Sequence, residues 1–232
     1  MVATICEDAQ DEQRERQTVM DRRAAFFRRM PVLGAFAVLP FLFPAGVQAG
    51  PRLFGTVEFQ MELKKPAGWL EAMKRNSKSP IFFDEKRFNA STLWKDIRLQ
   101  AENKPFLEQL EIVNKFWNQW PYRTDKEVYG KADYWAAPYE FLAKSGDCED
   151  YCIVKYYTLK ALGVPAERMR IVVVRETIRN LGHAVLAVYG KGDEIYILDN
   201  LSEAVRPAQR VRNYAPQFSV NETHRWVHIK PR

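Results

Sequence analysis

An α+β fold, with a helix packed on an antiparallel sheet, is what this sequence predicts. Two patterns carry the expectation: helical periodicity up to about Leu162, and extended runs rich in β-branched residues after Arg170. A third is the tetrapeptide Gly190-Lys191-Gly192-Asp193 between two of those runs, which signals a hairpin.

The elements follow in order. After an opening at Leu53-Phe54-Gly55-Thr56-Val57-Glu58-Phe59, a helix is expected around Trp69 to Lys74. Phe106, Leu110, Val113, Phe116 and Trp117 recur at three and four residues, so one face of a helix from about Lys104 to Trp120 should be buried, and Pro121 stops it. The stretch from Tyr122 to Ala136 shows neither period and reads as a long surface loop of the kind that lines a site. Asp147 is a candidate N-cap, with Asp150 three residues on as in a capping box, for a helix ending near Leu162 at Gly163 and Pro165. Strands are expected at Ile171–Val174, His183–Tyr189 and Glu194–Leu198, and Trp226–Ile229 should add an edge strand.

Composition excludes several classes. Apolar residues make up 47% of 232 residues, enough for one ordinary core, and no repeat, heptad or low-complexity tract supports a solenoid or coiled coil. Residues 1–49 differ in kind. Arg22, Arg23, Arg28 and Arg29 precede a nearly uncharged run from Pro31 to Val47 that ends in Val47-Gln48-Ala49, the order of a secretory signal peptide cleaved after Ala49, or of a retained membrane anchor. Met20 and Met30 are alternative starts for that leader. Its charges cancel, so the net +6 belongs to residues 50–232, read as one domain. That excess is compatible with an acidic substrate or membrane surface, though a solvated basic face with no specific partner is the simpler reading, and no basic run with interleaved aromatics argues for nucleic acid.

Cys148 and Cys152 are the only cysteines after the leader, one helical turn apart and poorly placed for a disulfide; Cys152 reads as a small buried hydrophobe. With His183, His224 and His228 as the only histidines and no paired Cys-x-x-Cys, structural zinc lacks a ligand set.

Cys148 falls in the first turn of its helix, where unpaired N–H groups and the helix dipole favour a thiolate. His183 opens one strand of the hairpin and Asp199 ends the other. Together they supply nucleophile, base and orienting carboxylate for acyl transfer. The roles require His183 and Asp199 to share a sheet face. A four-residue loop would instead oppose His183 to Asn200, so the expected connection is the three-residue loop Gly190-Lys191-Gly192, or a bulge that restores the same parity. The Cys148 backbone N–H is the natural oxyanion donor; Trp135, in the preceding loop, is the candidate for the second, with core packing as its other reading. Asp147, Glu149 and Asp150 crowd anions around the thiol and would raise its pKa. A hard cation on those oxygens would relieve the cost, and Ca²⁺ suits such a donor set; complementing the helix dipole is the other reading.

Beyond the triad, Asp125-Lys126-Glu127-Val128-Tyr129-Gly130, Asp133-Tyr134-Trp135-Ala136-Ala137-Pro138, Gly146-Asp147-Cys148-Glu149-Asp150-Tyr151, Gly182-His183-Ala184-Val185-Leu186 and Leu198-Asp199-Asn200 resemble the LapG-type bacterial transglutaminase-like cysteine proteinases. Phe54-Gly55-Thr56-Val57-Glu58-Phe59 and Asn118-Gln119-Trp120-Pro121-Tyr122 extend the resemblance over nearly all of the chain after the leader. It implies a papain-like, transglutaminase-like fold and a calcium-dependent periplasmic thiol protease, with Asp147 and Glu149 toward the ion. It also implies cleavage of the N-terminal region of a large surface adhesin at a paired-alanine site, which releases biofilm cells, and restraint by an inner-membrane receptor that senses cyclic di-GMP. By chemistry alone the same three groups would serve a transglutaminase or an amide acyltransferase. A catalytically silent, calcium-responsive envelope module would be expected to have lost one of them.

Overall fold

The computed structural model describes residues 52–231. The leader and its alternative starts therefore lie outside the described residues. Among those described, no helix is long and apolar enough to cross a membrane.

Among the described residues, six α-helices precede most of a seven-stranded antiparallel sheet. The helices are α1 (Ala67–Lys78), α2 (Trp94–Ala101), α3 (Phe106–Trp117), α4 (Asp125–Tyr129), α5 (Pro138–Lys144) and α6 (Cys148–Ala161). The strands are β1 (Val57–Glu62), β2 (Met169–Glu176), β3 (Leu181–Tyr189), β4 (Ile195–Asp199), β5 (Ser202–Pro207), β6 (Tyr214–Val220) and β7 (His224–Ile229), in the spatial order β1-β7-β6-β2-β3-β4-β5. The α+β expectation holds. The C-terminal segment is a correction: β7 lies inside the sheet between β1 and β6, and β1 and β5 form the edges. Pairing of Val57 with Ile229 closes the first strand of the described residues onto their last, a long-range contact that local pattern does not reveal.

α6 is the centre of the molecule. Every residue from Cys148 to Leu159 is buried, so the helix has no solvent face until its last two residues, Lys160 and Ala161. Along one side it packs on Ile171, Val173, Ala184, Leu186 and Val188, the alternate residues of β2 and β3. The opposite face of those strands carries Val172, Val174, Val185 and Ala187 into a second, smaller core with Leu53, Ile195, Ile197 and Tyr214. Strands buried on both faces read as continuous apolar runs, as Ile171–Val174 does.

α3 forms for the reason its spacing gave. It begins after Pro105 and buries Leu110, Val113, Phe116 and Trp117; truncating Leu110 would cost about 2–5 kcal/mol of stability. The 122–136 stretch departs from the expected surface loop. It contains α4, whose capping box has Thr124 N–H donating to Glu127 Oε2 at 2.9 Å, and it buries Asp125, Trp135 and Ala136.

The hairpin register answers the parity question. Tyr189 pairs with Ile195 and Leu186 with Leu198, so the loop is the five residues 190–194, closed by Gly190 N–H to Glu194 O at 2.8 Å, with Gly192 at φ 64°. The three-residue loop is thus corrected by two residues, while the parity it was meant to secure is kept. Asp199 is a diagonal neighbour of His183 on the same face, within side-chain reach.

Candidate active site

The chain enters α6 under tight constraint. Ser145 stands at φ 66°, ψ −168°, a region nearly reserved for glycine that costs about 1–3 kcal/mol unless the surroundings fix it. Its Oγ donates to Pro121 O, Arg123 N–H donates to Gly146 O at 2.9 Å, and Tyr151 OH donates to Trp120 O. At Gly146 a Cβ would come within 2.0 Å of Asp150 Oδ2, so only glycine lets the backbone pass that carboxylate. Asp150 Oδ2 accepts from Asp147 N–H at 3.2 Å, the reciprocal arm of the expected capping box, and its Oδ1 accepts from Ala136 N–H at 2.6 Å. Asp150 therefore ties the loop before α5 to the start of α6.

α6 returns through a short connection to β2, which pairs antiparallel with β3. The first turn of α6 thus lies at the end of the sheet where β3 starts and β4 stops. There His183 Nε2 meets Asp199 Oδ1 at 2.9 Å; Asp199 Oδ1 also accepts from Leu201 N–H at 2.9 Å and Oδ2 from Tyr214 OH at 2.6 Å. Burial works against the Asp199 charge, but the bonds and charge of His183 and the donors Tyr214 and Leu201 prevail and hold its carboxyl down at about 2. Asp199 is ionised throughout the neutral range, and the pairing leaves His183 Nδ1 as the nitrogen that can serve a nucleophile.

Cys148, Asp147 and Glu149 are buried together. The Cys148 thiol donates its hydrogen bond to Glu149 Oε2 at 3.2 Å, not to His183. Burial, then the charges of Glu149 and Asp147, push the thiol well above its ordinary value. Glu149 and Asp150 are also pushed well up, first by burial and then by neighbouring carboxylates, and Asp125 is raised to about 7 by burial and Asp147. Five acids crowd here. Ligand atoms of Asp125, Asp133 and Glu149 lie within 4.8 Å of one another, as do those of Asp125, Asp147 and Asp150. Oxygens across a cation bound at about 2.4 Å are separated by no more than roughly that distance. Asp125 Oδ1 and Asp147 Oδ1 are buried without a hydrogen-bond partner, which hydrogen bonding within the chain does not explain and a hard cation would. The residues present fit such an ion.

A family model for the bacterial transglutaminase-like cysteine proteinases matches residues 63–232. The chain belongs to that family. Among solved structures it is similar to Legionella pneumophila LapG in calcium-bound form, at 33% identity over 68% of this chain and 86% of that one, with a TM-score of 0.54. The EGTA-treated form of Legionella LapG matches with the same identity and TM-score over 84% of its length. No curated protein matches the chain. This proteinase family and its transglutaminase-like fold account for the helix-on-sheet frame that carries Cys148, His183 and Asp199.

Trp135, the candidate second oxyanion donor, is buried with its indole against Gly68, and its carbonyl accepts from Arg75 Nη2 at 2.6 Å. Cys152 is a buried free thiol in the core. The acids Asp125 and Asp133 and the Asp199 partner Tyr214 were not singled out in the sequence. Both acids sit inside segments that carry the family resemblance, so a signal was present; for Tyr214, brought in by β6, there was none.

Proposed function

We propose that this chain is an exported, calcium-dependent cysteine endopeptidase that cuts the N-terminal region of a large surface adhesin at an Ala-Ala site. The observation that carries the catalytic part is the His183–Asp199 pair at 2.9 Å, at the sheet end beside the helix that begins with Cys148. His183 Nδ1 takes the Cys148 proton, the thiolate attacks the substrate carbonyl, and Asp199 holds the imidazolium that forms. The first-turn N–H groups of α6 face the developing oxyanion. On collapse of the tetrahedral intermediate, His183 returns the proton to the leaving amine; it then draws one from the water that hydrolyses the acyl-enzyme.

Asp147 and Glu149, with Asp125, Asp133 and Asp150 around them, would hold the calcium. Bound there, it would supply positive charge that neutralises the carboxylates beside the thiol. The calcium-bound form of Legionella LapG, to which the chain is similar, supports this reading. Release of biofilm cells by the cut, and sequestration by an inner-membrane cyclic di-GMP receptor, are proposed on the family likeness.

Incubating residues 50–232 with an adhesin N-terminal fragment that contains one Ala-Ala pair should give two products, the downstream one starting at the second alanine. An intact fragment would refute the substrate class. Covalent capture of added amines in place of hydrolysis would move the chain to the acyltransferases. Periplasmic residence rests on the leader, and N-terminal sequencing of the exported protein should start at or near Gly50. A cytoplasmic protein with its leader intact would overturn both location and adhesin substrate.

A further inference from the structure

Lys155 lies two turns beyond Cys148 on α6, and only 1% of it is exposed. Burying an ammonium costs several kcal/mol unless something offsets it. Among the described residues no ion pair does. Nζ donates instead to two amide oxygens of α3 and its cap, Asn114 Oδ1 at 2.7 Å and Asn118 Oδ1 at 2.6 Å, with the Tyr151 ring centroid 5.6 Å away.

An asparagine amide is nearly symmetric in shape, so its partners decide which end is oxygen and which is nitrogen. With both oxygens committed to the ammonium, both NH₂ groups face away from it. Asn118 Nδ2 donates to Asp199 O at 2.9 Å and Ser202 O at 3.0 Å, and Asn114 Nδ2 to Ser202 O at 2.8 Å and Glu203 O at 2.9 Å. Three carbonyls flanking the β4–β5 turn are held this way. The same turn sets the Asp199 carboxylate, because Oδ1 accepts from both Leu201 N–H and His183 Nε2. A neutral side chain at 155 would leave both amide oxygens buried without a donor, which is costly and loosens the amides' hold on the turn.

We propose that Lys155 is a positioning residue for the Asp199–His183 pair: its ammonium anchors the oxygens of the Asn114 and Asn118 amides, whose NH₂ groups clamp the turn that aims the carboxylate. Burial holds Lys155 down at about 8, with Cys152 and Asp199 acting to raise it, so it remains mostly charged at neutral pH. The inference rests on the triad reading.

The test uses residues 50–232 in calcium-containing buffer and needs no natural substrate. Iodoacetamide alkylation of Cys148 is followed against pH, with the adduct located by mass spectrometry and folding checked by circular dichroism. A Cys–His pair should alkylate well below the ordinary thiol range, and Lys155→Met should slow the reaction at pH 6 by roughly tenfold, the effect of one unit in thiol pKa. Asn118→Asp keeps an acceptor for Lys155 but removes the donor to Asp199 O, so it should give the same shift. It carries the test alone if Lys155→Met does not fold. Asp199→Ala is the control. If it shifts the profile while folded Lys155→Met or Asn118→Asp stays at wild type, the clamp is wrong and the triad stands. If Asp199→Ala itself leaves the profile at wild type, the triad reading fails and this inference with it.

Discussion

Cys148→Ala and His183→Ala should each lower kcat/KM for peptide cleavage by about 10³- to 10⁶-fold, and the double variant should be little worse than either. The non-additivity follows from the roles. Without His183 the Cys148 thiol, already pushed up by burial and by Glu149 and Asp147, has no base to ionise it; without the sulfur the base has nothing to activate. Asp199→Ala should cost less in rate, about 10²- to 10⁴-fold, because histidine can still ionise the thiol in the wrong orientation. It should also change acid stability in a defined direction. The Asp199 carboxyl is held below its unfolded value, so its contribution is fully present above about pH 4 and is lost as pH falls toward about 2. The variant should therefore lose stability at neutral pH and show a flatter dependence in acid. Purified variants, a quenched peptide and thermal melts between pH 2 and 7 make the check. A His183→Ala enzyme with a rate within tenfold of wild type would remove the triad.

Chelation is the second large effect. Removing calcium with EGTA should abolish cleavage, by at least about 10²-fold, and Asp147→Ala or Glu149→Ala should mimic it. Two like charges about 4 Å apart repel by about 4 kcal/mol at an effective dielectric of 20, roughly three units of thiol pKa. Clustered carboxylates with no counterion would thus keep Cys148 protonated at neutral pH. These substitutions should leave the metal-free fold intact or raise its melting temperature slightly, since each removes a desolvated like charge. In the wild-type protein, calcium should raise the melting temperature in proportion to the logarithm of its concentration above Kd. Both readouts matter. Full activity in EGTA, together with a melting temperature indifferent to calcium, would reduce the acids to helix-terminal groups.

Much of the fold was legible because its signals are local. The α3 spacing from Phe106 to Trp117, the Gly163 and Pro165 stop after α6 and the β-branched run of β2 each depend on neighbours within a few residues. What was missed depended on partners elsewhere. β7 looked like an edge because nothing near Trp226 tells that β1, more than 160 residues earlier, will pair with it. α4 was hidden differently: Thr124 and Glu127 announce a capping box, but five residues are too few for a period to emerge.

Residue types and their order determined by themselves that Cys148 would open a helix, that His183 and Asp199 would sit on paired strands, and that acids would crowd the thiol. Those are properties of turns, caps and alternation, which the chain carries along its own length. Only the tertiary structure decided that a five-residue loop would secure the shared face, that Asp125 and Asp133 would complete the acidic cluster, and that a buried Lys155 would reach the Asp199 turn through two asparagines. Each of those depends on where helices and strands cross in space, and a buried charge or carboxylate has no meaning until its desolvation and its partners are set together.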